Sequence, residues 1–515
     1  MNSSPNIVYI LADDLGYGDV ACLNPRGKIP TPNIDRLASE GMVFTDAHST
    51  SSVCSPSRYG ILTGRYNWRT RMQRGIVSPY GKPLIAADRL TVGSLLQQHA
   101  YHTACFGKWH LGWNWPLGTN ESFLPLPGND DGRMPGEASN ETKAAWREAF
   151  SRPLADGPIT RGFNTYFGVD VPNWPPYVFI ENDRTAGIPS DYLPPDLVVH
   201  NVLASRHGPA VKDWQLEGIL PALTDRVCEY ISQQAATAKP FFVYMPLTSP
   251  HTPLAVNKEW KGKSGLNLYA DFVMETDAAV GRVLDALSES GAADHTLVVF
   301  TSDNGCAPMS GVPELEAMGH YPSAQYRGYK NDVWDGGHRM PFIARWPGVV
   351  RPGSISNQTV CLADLMATCA DIVGSTLPDD AGEDSVSILS LLRGEETPVR
   401  EHVINHSGPG KFAIRNGKWK LVLCAGSGGW TSPTDEEALE RGLPPIQLYD
   451  MEEDPGEQNN LQVERPGKVR ELAGLLERLL ADGRSTPGPT QSNDAPVDLW
   501  KGVDIRSDQA HEDDA

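Results

Sequence analysis

The chain alternates between short apolar runs and amphipathic stretches. Four apolar runs have the length and bounds of buried strands in parallel sheets: residues 6–14, 101–106, 241–247 and 296–302. Apolar residues at three- and four-residue spacing predict helices at residues 30–42, 90–99, 219–234, 268–287 and 364–373. Two further strands are predicted at residues 43–48 and 341–346. Strands that alternate with helices in this way predict an α/β fold with parallel strands.

Two of these apolar runs end in pairs of oxygen-bearing side chains. Asp13 and Asp14 close the first run, and Asp303 and Asn304 follow the run at residues 296–302. Open α/β sheets bind ligands at the carboxyl ends of their parallel strands, so we expect both pairs at one sheet edge. Adjacent carboxylates repel each other unless a cation lies between them, although a solvated turn is the alternative for the Asp-Asp pair alone. An all-oxygen set suits calcium or magnesium better than zinc or copper.

The pattern changes beyond about residue 393, where short alternating runs replace the longer elements. These runs predict strands at residues 403–406, 411–415, 419–423 and 447–450, and a helix at residues 466–482. We therefore divide the chain into a main domain, residues 1–395, and a C-terminal antiparallel-sheet subdomain, residues 396–515. Residues 484–515 are polar and acidic, which predicts a wrapped or mobile tail.

The overall charge narrows the classes of partner. The 515 residues carry a formal net charge of −20, which argues against nucleic acid or an anionic membrane as the main partner because both attract basic surfaces. An anionic substrate stays compatible, since a local cluster of cations dominates at short range. No apolar run approaches the roughly eighteen residues of a membrane span, and the first residues lack a signal peptide. The sequence as written predicts a cytoplasmic protein, or a periplasmic or secreted one if a leader was removed.

Cys54 is distinctive among eight scattered cysteines, whose spacing signals neither a disulfide framework nor a zinc site. It lies where a strand-like segment meets a helix start, with Ser55 as the expected cap and Pro56 in the first turn. A thiol there would experience the positive end of the helix dipole and the positive charge of Arg58, one turn further on. A lone cysteine is most often a buried structural residue. A thiolate phosphatase is a further reading, but its C-x5-R loop needs an arginine where Gly60 stands.

Basic residues follow a predicted strand or lie between prolines. Lys108 and His110 are two residues apart after the run at residues 101–106, so an extended backbone points both the same way. His251 is flanked by prolines, which suits an imidazole held in a fixed direction. Each of these residues alone is as readily explained as a surface lysine, or as a histidine whose ring nitrogens are hydrogen-bonded within the fold. Together they suit the binding of one anion.

Five motifs resemble those of the type I sulfatases, in the order in which that family has them. They are D-D-L-G-Y-G-D at residues 13–19, C-S-P-S-R at 54–58, L-T-G-R at 62–65, G-K-W-H-L-G at 107–112, and the segment 326–348 with Lys330 before a W-D-G-G turn. The resemblance implies an alkaline-phosphatase-like sandwich, with a large central mixed sheet flanked by helices and a smaller C-terminal α+β subdomain. It also implies one Ca²⁺ per chain and a maturation enzyme that oxidises Cys54 to formylglycine (3-oxoalanine).

The resemblance also implies roles for individual residues. The expected catalytic residues are Cys54, Arg58, Lys108, His110, His251 and Lys330. The expected metal ligands are Asp13, Asp14, Cys54, Asp303 and Asn304, and the expected substrate contacts are Lys108, His251, Lys330, His338, Trp174 and Arg184. In such enzymes the hydrated formylglycine attacks the sulfate ester, and Lys330 or His251 would protonate the departing alcohol. His110 would then help to expel the covalently held sulfate.

The expected substrate is a sulfated poly- or oligosaccharide. The polar stretch between residues 113 and 184 carries Trp174 and other aromatic residues that could stack on a sugar, although ordinary packing explains any one of them equally well. We expect attack on a terminal sugar held in a pocket, not along an open cleft. Two alternatives stay open: a phosphodiester or phosphonate monoester hydrolase of the same superfamily, and a sulfated-glycan binder that lost its maturation.

Overall fold

The computed structural model describes residues 4–117, 138–193, 206–501 and 503. Its strands are β1 (Asn6–Ala12), β2 (Met42–Phe44), β3 (Ala47–His48), β4 (His102–Lys108), β5 (Thr165–Val169), β6 (Ile180–Glu181), β7 (Arg184–Thr185), β8 (Asp191–Leu193), β9 (Gly208–Ala210), β10 (Phe241–Pro246), β11 (Thr296–Ser302), β12 (Phe342–Arg345), β13 (Ser354–Ser356), β14 (Val360–Cys361), β15 (His402–His406), β16 (Phe412–Asn416), β17 (Trp419–Val422) and β18 (Gln447–Asp450). Its helices are α1 (Pro32–Glu40), α2 (Cys54–Thr63), α3 (Val92–Gln98), α4 (Asn140–Phe150), α5 (Ile219–Ala235), α6 (Leu268–Glu289), α7 (Val312–Ala317), α8 (Asp335–His338), α9 (Leu365–Val373), α10 (Leu389–Leu392), α11 (Asp435–Glu440) and α12 (Pro466–Ala481). None of these described helices is both long and apolar enough to cross a lipid bilayer.

In the described part of the chain, ten strands form one large mixed sheet in the order β13-β2-β12-β11-β1-β10-β4-β5-β6-β7. β1 lies between β10 and β11 and runs parallel to both. β4 and β5 extend the parallel part, whereas β12 and β6 run antiparallel to their inner neighbours. The expected large central mixed sheet is confirmed, and so is the parallel arrangement of its core strands.

Both faces of this sheet are covered by helices, which explains why β1 is apolar throughout. Ile7, Tyr9 and Leu11 pack in one core cluster with residues of α2, α3 and α9. Val8 and Ile10 point the other way, into a second cluster with residues of α1, α5 and α6. The two-residue period of a strand thus divides one apolar run between two cores.

The C-terminal part forms a separate sheet, as its alternating pattern predicts. β15, β16, β17 and β18 pair in that order, all antiparallel. α12 packs against one face through Leu472 and Leu476. On the side of the main domain, the buried Lys420 Nζ contacts Asp335 Oδ1 at 2.7 Å and Glu457 Oε1 at 2.8 Å. The C-terminal sheet is therefore tied to the main sheet by a buried ionic network.

The described part of the tail wraps back onto the main domain. Asp494 Oδ1 lies 2.9 Å from Arg65 Nη2, and Asn493 Oδ1 accepts a hydrogen bond from Arg69 Nη1 at 3.0 Å. The sequence left a wrapped and a mobile tail open, and the first holds for residues 484–501. Residues 504–515 lie outside the described residues.

Some element boundaries differ from the sequence prediction. The strand expected at residues 43–48 is two strands, because the chain leaves the main sheet near Asp46, which binds Arg339 and Arg415. β3 then pairs with β14 in a two-stranded sheet. Ser55 does not cap α2: Val53 is the N-cap residue, and the Ser55 hydroxyl instead accepts a hydrogen bond from the Val77 amide. The other strands of two or three residues were not predicted, since so few residues carry no readable period.

The buried ion pair of Arg69 and Asp384 should contribute strongly to stability. Arg69 Nε and Nη2 contact the two carboxylate oxygens at 2.8 and 2.9 Å, and neither side chain is exposed. Asp384→Ala should lower the free energy of unfolding by about 3–5 kcal/mol, because it leaves a buried guanidinium unpaired. Urea unfolding followed by circular dichroism measures this.

The matched control is Asp285→Ala, which removes the exposed ion pair with Arg36. It should cost about 1 kcal/mol or less. Equal losses in the two variants would contradict the assigned importance of burial.

Candidate active site

The carboxyl edge of the main sheet brings together the polar residues that follow β1 and β11. Ala12 pairs with Ser302 in the parallel register, so Asp13 and Asp303 leave the sheet side by side. The Asp303 amide donates to the Ala12 carbonyl at 3.1 Å. Asp14 takes a left-handed backbone conformation, with a φ of 63°, and its amide donates to Asp303 Oδ1 at 3.3 Å. The three carboxylates are therefore fixed by the register of two buried strands.

Cys54 is the first residue of α2 and meets the same carboxylates. Its Sγ lies 3.7 Å from Asp13 Oδ1, and the residue is buried. Arg58, one turn further along α2, donates from Nε and Nη2 to Asp303 Oδ2 at 3.0 and 2.8 Å. Its Nη1 donates to the Lys108 carbonyl at 2.8 Å. Arg58 thus joins α2, β4 and the carboxylates.

Two lysines neutralise the paired acids that follow β1. Lys108 Nζ donates to Asp13 Oδ2 at 2.7 Å, and Lys330 Nζ lies 2.6 Å from Asp14 Oδ1. Burial alone would raise the pKa of Asp13, but the charges around it, Lys108 foremost, hold that pKa well below its usual range. Burial, and next the negative charge of Asp13, raise the pKa of Asp303 to about 7. The site therefore consists of closely balanced buried charges.

His110 is oriented as a base. Its Nε2 lies 3.0 Å from the Val77 carbonyl oxygen, which accepts a hydrogen bond from the protonated Nε2, so the lone pair of the neutral ring is on Nδ1. Nδ1 is buried and has no hydrogen-bond partner among the described residues. Burial, and next the charges of Lys108 and Arg58, lower the pKa of His110 well below its usual value. The ring is neutral at pH 7, with Nδ1 able to accept a proton.

His251 lies on the opposite side of the paired acids from β11. Its Nδ1 bonds the Thr252 carbonyl, so Nε2 is the nitrogen near Asp14, 3.6 Å from Oδ2. Burial lowers the pKa of His251 to about 4, although Asp14 acts to raise it. Lys330 behaves differently, because the pull of Asp14 outweighs burial and raises its pKa. At neutral pH, Lys330 is the protonated one of the two.

The thiol of Cys54 is not activated in this environment. Burial raises its pKa to about 12, even though Lys108 and Lys330 act to lower it. Gly60, at the place of a phosphatase arginine, packs against Thr50 instead of facing an anion. A thiolate nucleophile at Cys54 is therefore disfavoured at neutral pH.

These groups open into a cavity of about 450 Å³. Its lining residues are Asp14, Val53, Cys54, Gly75, Ile76, His110, Val171, Asn173, Trp174, Arg206, His251, Thr252, Ala307, Met309, Lys330, Asn331 and Trp430. Trp174, expected as a substrate contact, stands edge to face with His110, with ring centroids 5.7 Å apart. The volume and the mixture of charged and aromatic walls are those of a small-molecule binding pocket.

The carboxylates provide a place for a divalent cation. One ligand atom each of Asp13, Asp14, Cys54 and His251 lies within 4.8 Å of the others. Asn304 donates from Nδ2 to Asp14 Oδ1 at 2.7 Å, which leaves its own Oδ1 buried and without a partner among the described residues. An orphaned buried amide oxygen beside carboxylates fits a hard cation.

Three of the expected substrate contacts, Lys108, His338 and Arg184, are not among the residues that line the cavity. Lys108 is fully buried, and its Nζ contacts Asp13. His338 is buried with Nδ1 3.0 Å from His48 Nδ1 and Nε2 3.1 Å from the Val333 carbonyl, so it belongs to the core between the two sheets. Arg184 is exposed on β7, the edge strand five places from β1. Helix α8 and the outer hairpin turn the side chains of His338 and Arg184 away from the site.

Sequence reasoning missed Trp430, Asn331 and Met309 as cavity residues. Asn331 directly follows Lys330, so adjacency was an available signal there, whereas Met309 is five residues beyond Asn304. Trp430 follows the glycine-rich stretch G-S-G-G in the C-terminal part. No periodicity could place that loop against the main domain.

The ten-stranded mixed sheet, the helices on both of its faces and the separate antiparallel sheet define an α/β protein with the alkaline-phosphatase-like fold. The sulfatase family model matches residues 5–375. An N-acetylgalactosamine-6-O-sulfatase of Bacteroides thetaiotaomicron is 31% identical over 518 residues, which cover 92% of this chain and 93% of that protein. Arylsulfatase A of Homo sapiens is 31% identical over 511 residues, 95% of this chain and 90% of that protein.

A solved structure from work on glycosaminoglycan metabolism by Bacteroides thetaiotaomicron is 30% identical. It covers 93% of this chain and 99% of its own, with a TM-score of 0.78. This chain belongs to the sulfatase family, and it is a sulfuric ester hydrolase.

The buried carboxyl of Asp170 makes the stability of the folded protein depend on pH. Trp113 Nε1 lies 3.3 Å from its Oδ1, and burial raises the pKa of Asp170 to about 6. Because the unfolded pKa is about 3.9, the folded state binds the extra proton, and its stability falls as pH rises from about 4 to 6. Asp170→Asn removes this loss, so it should stabilise the protein by roughly 2–3 kcal/mol at pH 8.

Urea unfolding at pH 5 and pH 8 tests this expectation, with the parent protein measured alongside. The stabilisation should be clearly larger at pH 8. A difference that does not grow with pH would show that Asp170 is not protonated in the folded state.

Proposed function

We propose that this protein releases sulfate from a terminal sugar of a sulfated poly- or oligosaccharide, with formylglycine at position 54 and one Ca²⁺. The observation that carries this proposal is that Cys54, Asp14, Lys330 and two histidines line one cavity, while the ion pair of Asp13 and Lys108 lies directly beside Cys54. A sulfate ester carries negative charge on its oxygens, so fixed cations at this place stabilise its cleavage.

The metal and the modified residue would supply two distinct functions. The Ca²⁺ ligands would be Asp13, Asp14, Asp303 and Asn304, together with residue 54. When bound, the ion supplies positive charge to the sulfuryl oxygens, and the hydrated aldehyde supplies an oxygen nucleophile stronger than a buried thiol. The raised pKa of the Cys54 thiol supports this need for oxidation.

The chain's own residues divide the remaining work. Lys108 and Lys330, held by Asp13 and Asp14, would bind the sulfuryl oxygens. Lys330 would also donate a proton to the departing alcohol oxygen, because His251 is neutral at pH 7. His110 would accept a proton at Nδ1, the nitrogen that faces no other partner among the described residues.

The substrate class rests on the cavity and on the relatives. A cavity of about 450 Å³ accommodates one or two sugar rings, which favours a terminal position. The N-acetylgalactosamine-6-O-sulfatase relative makes 6-sulfated N-acetylgalactosamine the first compound to test. A panel should add singly sulfated N-acetylglucosamine, galactose and fucose. Sulfate release from internal positions of long polymers, without terminal desulfation, would contradict the exo-acting proposal.

Turnover of one chromophore as its sulfate, its phosphate monoester and its phosphate diester tests the reaction. We expect the sulfate to have the highest kcat/KM, and a preference for the diester would favour the phosphodiesterase alternative. Cys54→Ser should lower sulfate turnover on the order of 10³-fold or more, because it removes the residue that is oxidised. Peptide mass spectrometry of natively produced protein should find the aldehyde at position 54. If all of the natively produced protein carried an unmodified Cys54 thiol, the glycan-binder alternative would be favoured.

Calcium should stabilise the chelator-treated protein. At 100 times its Kd, the ion adds about 2.7 kcal/mol, which corresponds to a rise in Tm of roughly 2–3 °C for a chain of this length. Asp14→Asn should lose most of this rise, since it weakens one ligand, and the exposed Asp285→Asn should keep it. Differential scanning calorimetry with and without Ca²⁺ measures the effect. An Asp14→Asn variant that responds like the parent would refute this assignment of the metal site.

A further inference from the structure

Two large apolar side chains at the cavity remain exposed. Trp430 is 48% exposed and Met309 is 43% exposed, and both line the cavity that contains Cys54 and Lys330. Neither side chain has a part in the proposed chemistry. Apolar groups exposed at the mouth of a binding pocket are typical contacts for a ligand.

The backbone at Trp430 is fixed to the loop that carries Lys330. Asp332 Oδ1 accepts hydrogen bonds from the Trp430 amide at 2.8 Å and the Thr431 amide at 3.1 Å. The Thr431 hydroxyl also donates to Asp332. Asp332 is two residues beyond Lys330, so the backbone at Trp430 is fixed relative to a cation of the proposed sulfate site.

The preceding glycines permit this close approach. Gly428 has a φ of +60°, and a Cβ on Gly429 would lie 2.4 Å from the Asn331 carbonyl oxygen. The Val333 amide further donates to the Ser427 carbonyl at 2.8 Å. The loop from Ser427 to Thr431 is therefore packed through its backbone.

The indole itself is not used in this packing. Among the described residues, its ring makes none of the aromatic or cation–π contacts that most of the other tryptophans make. A large ring with a fixed backbone, an exposed face and no ring partner is suited to stacking against a flat apolar surface of a ligand.

We propose that Trp430 is the stacking surface for the pyranose ring that carries the sulfate, and that the C-terminal subdomain thereby determines which sugar is accepted. This inference rests on the proposed function, because it assigns the sugar ring of that substrate to this wall of the cavity. The C–H face of the pyranose would lie on the indole while its sulfate reaches Lys108 and Lys330.

Binding measured without turnover tests the inference. The full chain carrying Cys54→Ser is titrated calorimetrically with the sulfated monosaccharide that the matured enzyme hydrolyses fastest among the four of the panel. Adding Trp430→Ala should weaken binding by roughly tenfold, the effect of one lost aromatic contact. Trp430→Phe should retain most of the affinity. Tyr321→Ala is the matched control, since Tyr321 is 51% exposed and does not line the cavity.

The outcomes separate this inference from the proposed function. Loss of affinity in Trp430→Ala alone, with an unchanged Tm, supports the stacking role. Equal affinity in Trp430→Ala and the parent overturns it and leaves the proposed function intact. A third outcome concerns the substrate class. The matured enzyme would hydrolyse the chromogenic sulfate but none of the sugars of the panel, and the Cys54→Ser variant would bind none of them. The carbohydrate assignment then fails, and the stacking role fails with it.

Discussion

Three buried carboxylates share the carboxyl edge of the sheet, and each is matched by one buried cation. Arg58 binds Asp303, Lys108 binds Asp13, and Lys330 binds Asp14. Removing one member of such a pair typically costs about 3–5 kcal/mol, because the remaining charge is buried and unpaired. The local charges cancel, so a bound divalent cation would leave the cavity positive. An anionic ester is then attracted to this site even though the whole chain carries a net charge of −20.

This balance depends on where the main chain places each charge. The acids follow adjacent parallel strands whose residues are buried on both faces, so the acids inherit the rigidity of the core. The cations arrive from elsewhere: Arg58 from α2, Lys108 from the end of β4, and Lys330 from the loop before α8. Each ion pair is therefore also a tertiary contact between separate elements. The site and the fold stabilise one another.

The parts of this arrangement that were predictable are those set by local pattern. Apolar runs ending in Asp13 and Asp303 identify strands and the edge where they end, because the period of a strand and the position of its last residue are local properties. His338 and Arg184 show the limit. His338 follows the W-D-G-G turn and Arg184 follows Trp174 in the chain, so both were expected near the substrate. In the structure, His338 makes a buried contact with His48, and Arg184 lies on an outer strand. The direction of a side chain in a short helix or hairpin depends on packing partners that are distant in sequence.

The C-terminal sheet contacts the segment that carries Lys330, although its strands form a sheet separate from the main one. Lys420 of β17 binds Asp335, and Asp332 binds the Trp430 loop, so the segment that follows Lys330 is held by the C-terminal sheet and by a loop of the same part of the chain. The three ion pairs at the edge of the main sheet, however, involve no residue of the C-terminal sheet. A change in the loop at Trp430 can therefore alter the wall of the cavity without removing a member of these ion pairs.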